Sequence, residues 1–162
     1  MINVYLLLGS NLGNRHLFLK QAAAYIEAQA GSIVQYSGIY ETKSWGKTDA
    51  PDYLNQVLLI NTVLKPLALL NKLLEIELLL GRKRDEKWGS RTVDIDILFY
   101  DNQIINEPEL TVPHPQLHNR RFTLVPLVEI APEWIHPVLQ KALIKLYNEL
   151  KDDLQVKKYI FE

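Results

Sequence analysis

Asp94 and Asp96, separated by a single isoleucine, are the residues of this chain best suited to chemistry. They sit in Val93-Asp94-Ile95-Asp96-Ile97-Leu98-Phe99-Tyr100, a run of β-formers that reads as a strand. Side chains alternate along a strand, so the two carboxylates share a face and stand roughly 7 Å apart at Cα. Like charges that close raise one pKa unless a cation neutralises them. A hard divalent ion is the usual partner, above all Mg²⁺ carrying substrate phosphates. The preceding stretch from Gly81 supplies Arg82, Lys83, Arg84 and Lys87, then Trp88-Gly89-Ser90, which breaks any helix, then Arg91. Cations beside a candidate metal pair point to a bound polyanion. A solvated strand face carrying two surface aspartates is the other reading of the bare pair.

Several elements must position these groups. Ile2 to Gly9 is a short apolar run and reads as a buried strand. Gly9 to Asn14 is a turn ending in helix-capping residues; no Lys-Ser/Thr follows, as a P-loop would require. A helix is predicted from about 14 to 30, closed by Gly31, and a second strand from Ser32 to Glu41. Residues 42–51 form a polar loop holding Trp45, and Tyr53 to Val63 alternate as a third strand with Asn55 near its start. Asn55 reads equally as a surface strand residue or a ligand contact.

Pro66 suits a helix start. The segment from Leu67 to Leu80 carries eight leucines and an isoleucine, which predicts a helix buried on most sides. Glu77 falls on its apolar stripe, either at the core edge or aimed into a site. On the strand after it, Val93, Ile95, Ile97 and Phe99 fall on one face, and Asp94, Asp96, Leu98 and Tyr100 on the other. The order strand, helix, strand, strand, helix, strand predicts an α+β fold: a ferredoxin-like βαββαβ antiparallel sheet with two helices on one face. A C-terminal hairpin over 101–113 and further helices follow, at Arg121 to Ala131 and Leu139 to Lys151, then an edge strand at Val156 to Phe161. His114, held between two prolines, reads as a phosphate-binding or a plain loop residue. The tail carries no recognisable chemistry.

The chain has 162 residues, 48% hydrophobic and 23% charged, which predicts one domain over 1–162 with a full core. A net charge of −1 argues against a general nucleic-acid or membrane binder. The absence of cysteine excludes disulfides and thiolate metal sites. The first residues lack a signal-peptide pattern, so a cytoplasmic location is expected. The oligomeric state is left open, with a monomer assumed.

Taken together, these residues resemble the 6-hydroxymethyl-7,8-dihydropterin pyrophosphokinase family of folate biosynthesis. Arg91-Thr92-Val93-Asp94-Ile95-Asp96-Ile97 carries most of the likeness, with Val112-Pro113-His114-Pro115 and Arg120-Arg121-Phe122. Leu8-Gly9-Ser10-Asn11, Tyr53-Leu54-Asn55 and the run from Pro126 to Pro132 agree in order and spacing. The resemblance implies transfer of a pyrophosphoryl group from ATP to the pterin hydroxymethyl, leaving AMP. It implies that Asp94 and Asp96 hold two Mg²⁺ ions bridging the triphosphate, with Asp96 the candidate general base. Arg82, Arg84, Arg91, His114, Arg120 and Glu77 become ATP contacts, with Arg82 and Arg91 also catalytic. Phe122, Asn55 and Tyr53 become pterin contacts, with Thr42 and Trp45 from the loop and Trp88 closing over the site. Loops 42–51 and 82–91, each with a Trp-Gly pair, are expected to close on substrate. Two other classes remain in view: a polymerase-palm nucleotidyl transferase, which should have a nucleic-acid groove, and a catalytically silent ligand-binding domain of the same fold.

Overall fold

The computed structural model describes residues 1–43, 52–81 and 92–160. Its elements in chain order are β1 (Ile2–Ser10), α1 (Arg15–Gln29), β2 (Ser32–Tyr36), β3 (Tyr40–Thr42), β4 (Tyr53–Thr62), α2 (Pro66–Leu79) and β5 (Asp94–Tyr100). A small hairpin follows, β6 (Ile105–Asn106) and β7 (Thr111–Val112), then α3 (Arg121–Ile130), α4 (Leu143–Asn148) and β8 (Val156–Lys158). The main sheet runs β5-β1-β4-β3-β8, with β2 also on β4, and every pairing within it is antiparallel. Among the described residues, no helix is long and apolar enough to cross a membrane.

Local chemistry explains the boundaries. The Asn14 side chain accepts the Leu17 N–H at 3.1 Å and so starts α1. Pro66 opens α2, where its missing N–H is no loss, and Gly81 at φ +99° ends it in a conformation that favours glycine. The strand expected over 32–41 is two strands with a break at Ser37-Gly38. There the Ser37 hydroxyl accepts the Val57 N–H at 2.8 Å, and the Gly38 N–H goes to the Glu129 carboxylate at 2.6 Å. Two donors that strict pairing would place in one ladder are thereby satisfied by side chains.

The sheet has two covered faces, not the one expected. Val4, Leu6 and Leu8 of β1, Leu54, Leu58 and Ile60 of β4, and Ile95 and Ile97 of β5 pack with the buried residues of α1 and α2. The intervening Tyr5, Leu7 and Val57 pack with Leu124 and Leu127 of α3 and Leu143 and Leu146 of α4. The C-terminal helices thus form a second layer, and the aspartate-bearing face is not an open solvated one. The last helix is shorter than the expected Leu139–Lys151, because Gln140 adopts φ 56° and Ile135 bridges Ala142. α2 is not buried on most sides either: Leu69, Leu73 and Ile76 face the core, while Leu74 and Leu79 are 43% and 59% exposed. A helix lying on a sheet has one stripe to bury, whatever its leucine count.

Strand β5 corrects a further expectation. Its ladder with β1 pairs Leu6 with Ile97 and Tyr5 with Phe99, leaving Leu98 as an extra residue. At this bulge Leu98 and Phe99 both enter the α3 side, and Tyr100 crosses to the α1/α2 side. Phe99 and Tyr100 therefore exchange the faces that simple alternation assigns them, while Asp94 and Asp96, upstream, keep theirs.

Candidate active site

The register of three central strands builds the site. Gly9 on β1 is paired with Asn55 on β4 and with Asp94 on β5, and Leu7 with Asp96. Asn55, Gly9 and Asp94 therefore form one row across the sheet, with Asp96 in the next row but on the same face. This row borders a cleft of about 500 Å³, lined also by Tyr53, Thr42 and Lys43 from the sheet edge. Arg120 and Phe122, at the start of α3, form a further wall. That is a volume suited to a small molecule.

Gly9 is there for lack of a side chain. A Cβ at this position would lie 2.9 Å from Asn55 Nδ2. The space lets the Asn55 amide reach back and donate to the Leu8 carbonyl at 3.3 Å. The other end of the same amide, Asn55 Oδ1, is buried with no hydrogen-bond partner among the described residues, as is Thr42 Oγ1. Each such group costs roughly 1–3 kcal/mol when left without a partner. Two of them on residues lining one cleft are acceptors and donors that a ligand with polar edges could meet.

At the other end, β5 is fixed from both sides. The Ser10 hydroxyl donates to the Thr92 carbonyl, just before the aspartates. From the α1/α2 side, the Glu77 carboxylate, 3% exposed, accepts the Ile95 N–H at 2.7 Å. Glu77, named from the sequence as an ATP contact, is not among the residues that line the cleft. It reaches the backbone between the two aspartates from behind the sheet. Asp94 and Asp96 are half-buried at the cleft. Among the described residues, no group of three or more His, Cys, Asp or Glu side chains converges on one point. Two carboxylates alone suit an ion that draws its remaining ligands from water and phosphate oxygens, which is the habit of Mg²⁺.

His114 follows a cis Val112–Pro113 bond, and its N–H donates to the carbonyl of Leu98, the bulged residue of β5, at 3.0 Å. Its Nδ1 accepts the Gln116 N–H at 3.1 Å, which leaves the ring proton on Nε2. Burial, and secondarily the Arg120 guanidinium, push the His114 pKa below the ordinary value, so the ring is neutral at pH 7 and Nε2 is a donor. His114 is not itself a lining residue, although Arg120 is. The Arg120 guanidinium lies 5.6 Å over the Phe122 ring, so cation and aromatic face the cleft as a stacked pair.

The cleft thus brings together Thr42, Tyr53, Asn55, Asp94, Asp96, Arg120 and Phe122 of the residues named from the sequence. Arg82, Arg84, Trp88 and Arg91, together with Trp45, lie outside the described residues, as does most of the two loops expected to close. Sequence reasoning passed over Leu7, Gly9, Lys43, Asp152 and Leu154, which also line the cleft. For Gly9 the usable signal was its place in the run Leu8-Gly9-Ser10-Asn11, and Leu7 lies two residues before it on the same strand face. Asp152 and Leu154 had none.

Comparison with known proteins points to one family. Residues 5–132 match the family model described as 7,8-dihydro-6-hydroxymethylpterin-pyrophosphokinase (HPPK). A 2-amino-4-hydroxy-6-hydroxymethyldihydropteridine pyrophosphokinase of Haemophilus influenzae is 42% identical over 158 residues, covering 97% of this chain and 98% of that protein. The enzyme of the same name from Aquifex aeolicus is 43% identical over 153 residues, covering 93% and 95%. Among solved structures, an HPPK-DHPS in complex with substrates superposes with a TM-score of 0.74 at 17% identity, over 91% of this chain and 43% of that one. Wild-type Plasmodium falciparum HPPK-DHPS with pterin and p-hydroxybenzoate gives 0.73 at 20% identity, over 91% and 41%. This chain therefore spans less than half the length of those solved proteins, and at such identity the likeness is one of fold.

Proposed function

The chain belongs to the 7,8-dihydro-6-hydroxymethylpterin-pyrophosphokinase family, and from that premise we propose that it transfers pyrophosphate from ATP to 6-hydroxymethyl-7,8-dihydropterin. The products are AMP and the pterin diphosphate, in folate biosynthesis. The observation that carries this reading is the row Asn55–Gly9–Asp94, which sets an unsatisfied amide oxygen and a carboxylate pair along one cleft.

The row divides the work. At the Asn55 end, Oδ1 and the Thr42 hydroxyl are oriented to meet the polar edge of a flat heterocycle, with Phe122 stacked on its face. Tyr53 stands beside them. At the Asp94 end, the two carboxylates would hold two Mg²⁺ ions. When bound, Mg²⁺ supplies neutralisation of the triphosphate and acidification of the substrate hydroxyl. Phosphoryl transfer asks a protein mainly for positioning and charge. Arg120 offers a fixed cation facing the cleft, and His114 a neutral Nε2–H donor behind it. Asp96 is the candidate to receive the hydroxyl proton.

Arg82, Arg84 and Arg91 complete the phosphate contacts, with Trp45 and Trp88 on the substrate side, by resemblance alone. For Glu77 we propose positioning of β5 in place of direct ATP contact. We read the strand order as a ferredoxin-like frame, and the whole chain as a single domain acting as a cytoplasmic monomer.

AMP release from ATP and Mg²⁺, measured with and without the hydroxymethyl pterin, is the direct test. Pterin-dependent AMP in equal amount to pterin diphosphate is expected. AMP released at the same rate without pterin, or none with it, would overturn the assignment.

A further inference from the structure

The family match ends at residue 132, but the cleft does not: Asp152 and Leu154 line it too. Their role begins with the way α3 starts. Arg120 occupies its N-cap position and makes no side-chain capping bond. The missing acceptor comes from 31 residues downstream, where Asp152 Oδ2 accepts the Arg121 N–H at 3.0 Å. The other oxygen of the same carboxylate, Oδ1, accepts the Leu154 N–H at 2.9 Å and so turns the tail. One carboxylate thus caps the helix and aims Leu154.

The residues flanking the capped N–H are Arg120 and Phe122, the stacked pair on the cleft wall. Beyond Leu154 the tail becomes β8, which pairs with β3 so that Val156 stands opposite Thr42. The tail is therefore joined both to the first turn of α3 and to the strand that carries Thr42. In the sheet order β5-β1-β4-β3-β8, the aspartates and the tail lie on opposite edges. The tail therefore enters the cleft from the sheet edge opposite β5, beside Thr42 and the start of α3.

We propose that Asp152 is a positioning residue for the pterin, acting through α3, and that Leu154 is an apolar wall that limits what the pterin end admits. This rests on the reading that the Asn55 end takes the pterin. Loss of a helix cap weakens the arrangement it holds by about tenfold. Asp152→Ala should therefore raise KM for the pterin about tenfold, with a smaller rise in KM for ATP through Arg120 and kcat at saturating substrates changed less than about twofold. Asp152→Asn keeps one carbonyl oxygen for the Arg121 N–H but turns an NH2 group toward the Leu154 N–H, so it should restore only the helix-capping part of the loss. Leu154→Ala should shift kcat/KM in favour of a pterin bearing an added alkyl group on the ring.

The experiment is steady-state AMP release by the full chain, varying each substrate in turn, with the two Asp152 variants, Leu154→Ala and Asn55→Ala side by side. A rise in KM larger for the pterin than for ATP that Asp152→Asn repairs in part, with the alkyl preference in Leu154→Ala, supports the proposal. Equal changes in both KM values and kcat, or no rescue by asparagine, overturn it. If Asn55→Ala loses pterin selectively and neither tail residue does, the tail inference fails and the pterin reading stands. If Asn55→Ala is also indifferent to pterin, both fall.

Discussion

The two faces of the central sheet are built from the same strands and do different work. On the α1/α2 face, alternate residues of β1, β4 and β5 are mainly apolar, with Ser10, Gln56 and Thr62 the polar members, and Leu6, Leu58 and Ile60 are wholly buried. On the α3/α4 face, the pattern is apolar only from Tyr5 through Phe99, where Phe99 meets Tyr5 and Trp134 edge to face. At the end of the strands this face gives way to Asn55, Gly9, Asp94 and Asp96. One face is therefore a core, and the other is a core for part of its length and a site for the rest. The core face holds the site's strands in place, and Glu77 accepting the Ile95 N–H is where the one supports the other.

The comparison can be broken hardest at the aspartates. Asp96→Asn and Asp94→Ala should each lower kcat by about 10²-fold or more, the scale seen when one transition-state charge contact is lost. The thermal midpoint should stay near that of the parent, since neither group belongs to the core. Near-parental turnover at saturating Mg²⁺ in either variant would mean that the pair is not the metal site. On the dry face the opposite split is expected. Leu6→Ala should destabilise the protein by about 2–5 kcal/mol, read from denaturant unfolding, with pterin KM little changed in the folded fraction. A Leu6→Ala protein of parental stability would mean that this face is not the core it is taken for.

A third measurement sharpens the contrast within the α3/α4 face, away from the cleft. His136 is buried against Phe99 and near His118, and its Nδ1 accepts the N–H groups of Val138 and Leu139. Burial, with His118 adding to it, pushes its pKa down to about 4. The folded protein then holds fewer protons than the unfolded chain between that value and the ordinary histidine value near 6.5. Stability should therefore be fully present above about pH 6.5 and fall as the pH drops toward 4, by about 3 kcal/mol in all. His136→Asn, which keeps an acceptor without a titrating ring, should flatten that slope; an unaltered slope would place its origin elsewhere.

The smallest effects belong to the pterin end. Asn55→Ala should weaken pterin binding by about 2 kcal/mol, and Phe122→Leu by about 1 kcal/mol, with MgATP affinity unchanged in calorimetric titrations. Parallel losses for both ligands would mean that the two ends of the cleft are not separate subsites.

Much of this was legible in the sequence, and the failures have physical causes. The strand carrying Asp94 and Asp96 was legible because period-two alternation and a short D-x-D spacing are local properties. The bounds of α1 and α2 followed from caps and breakers, such as Asn14, Pro66 and Gly81, but the break that makes β2 and β3 out of one expected strand did not. Leu98 was not legible as a bulge, since an extra residue shows only against the partner strand. The exposure of Leu74 and Leu79 was not legible either, because composition counts leucines and packing decides which are covered. Asp152 was hidden for the plainest reason: an acidic residue in a polar tail looks like solvent until the tail is seen lying on the start of α3. The sequence reading also covered only one face of the sheet, having no means of telling where the C-terminal helices would pack.

The extra residue in β5 has one more consequence. A strand is read in a frame of two, and Leu98 is a frameshift confined to it. Upstream, even-numbered positions point to the cleft; from Tyr100 the even position has moved to the α1/α2 side. A scan of single glutamate substitutions along β5 should therefore change phase at residue 98. Upstream, even positions should be the tolerant ones, and no position should be tolerated where Leu98 and Phe99 are both buried. Removing Leu98 would put the two halves in one frame with Phe99 still on the aspartates' face and Tyr100 still on the α1/α2 side, so what the extra residue adds is one more apolar side chain on the α3 side.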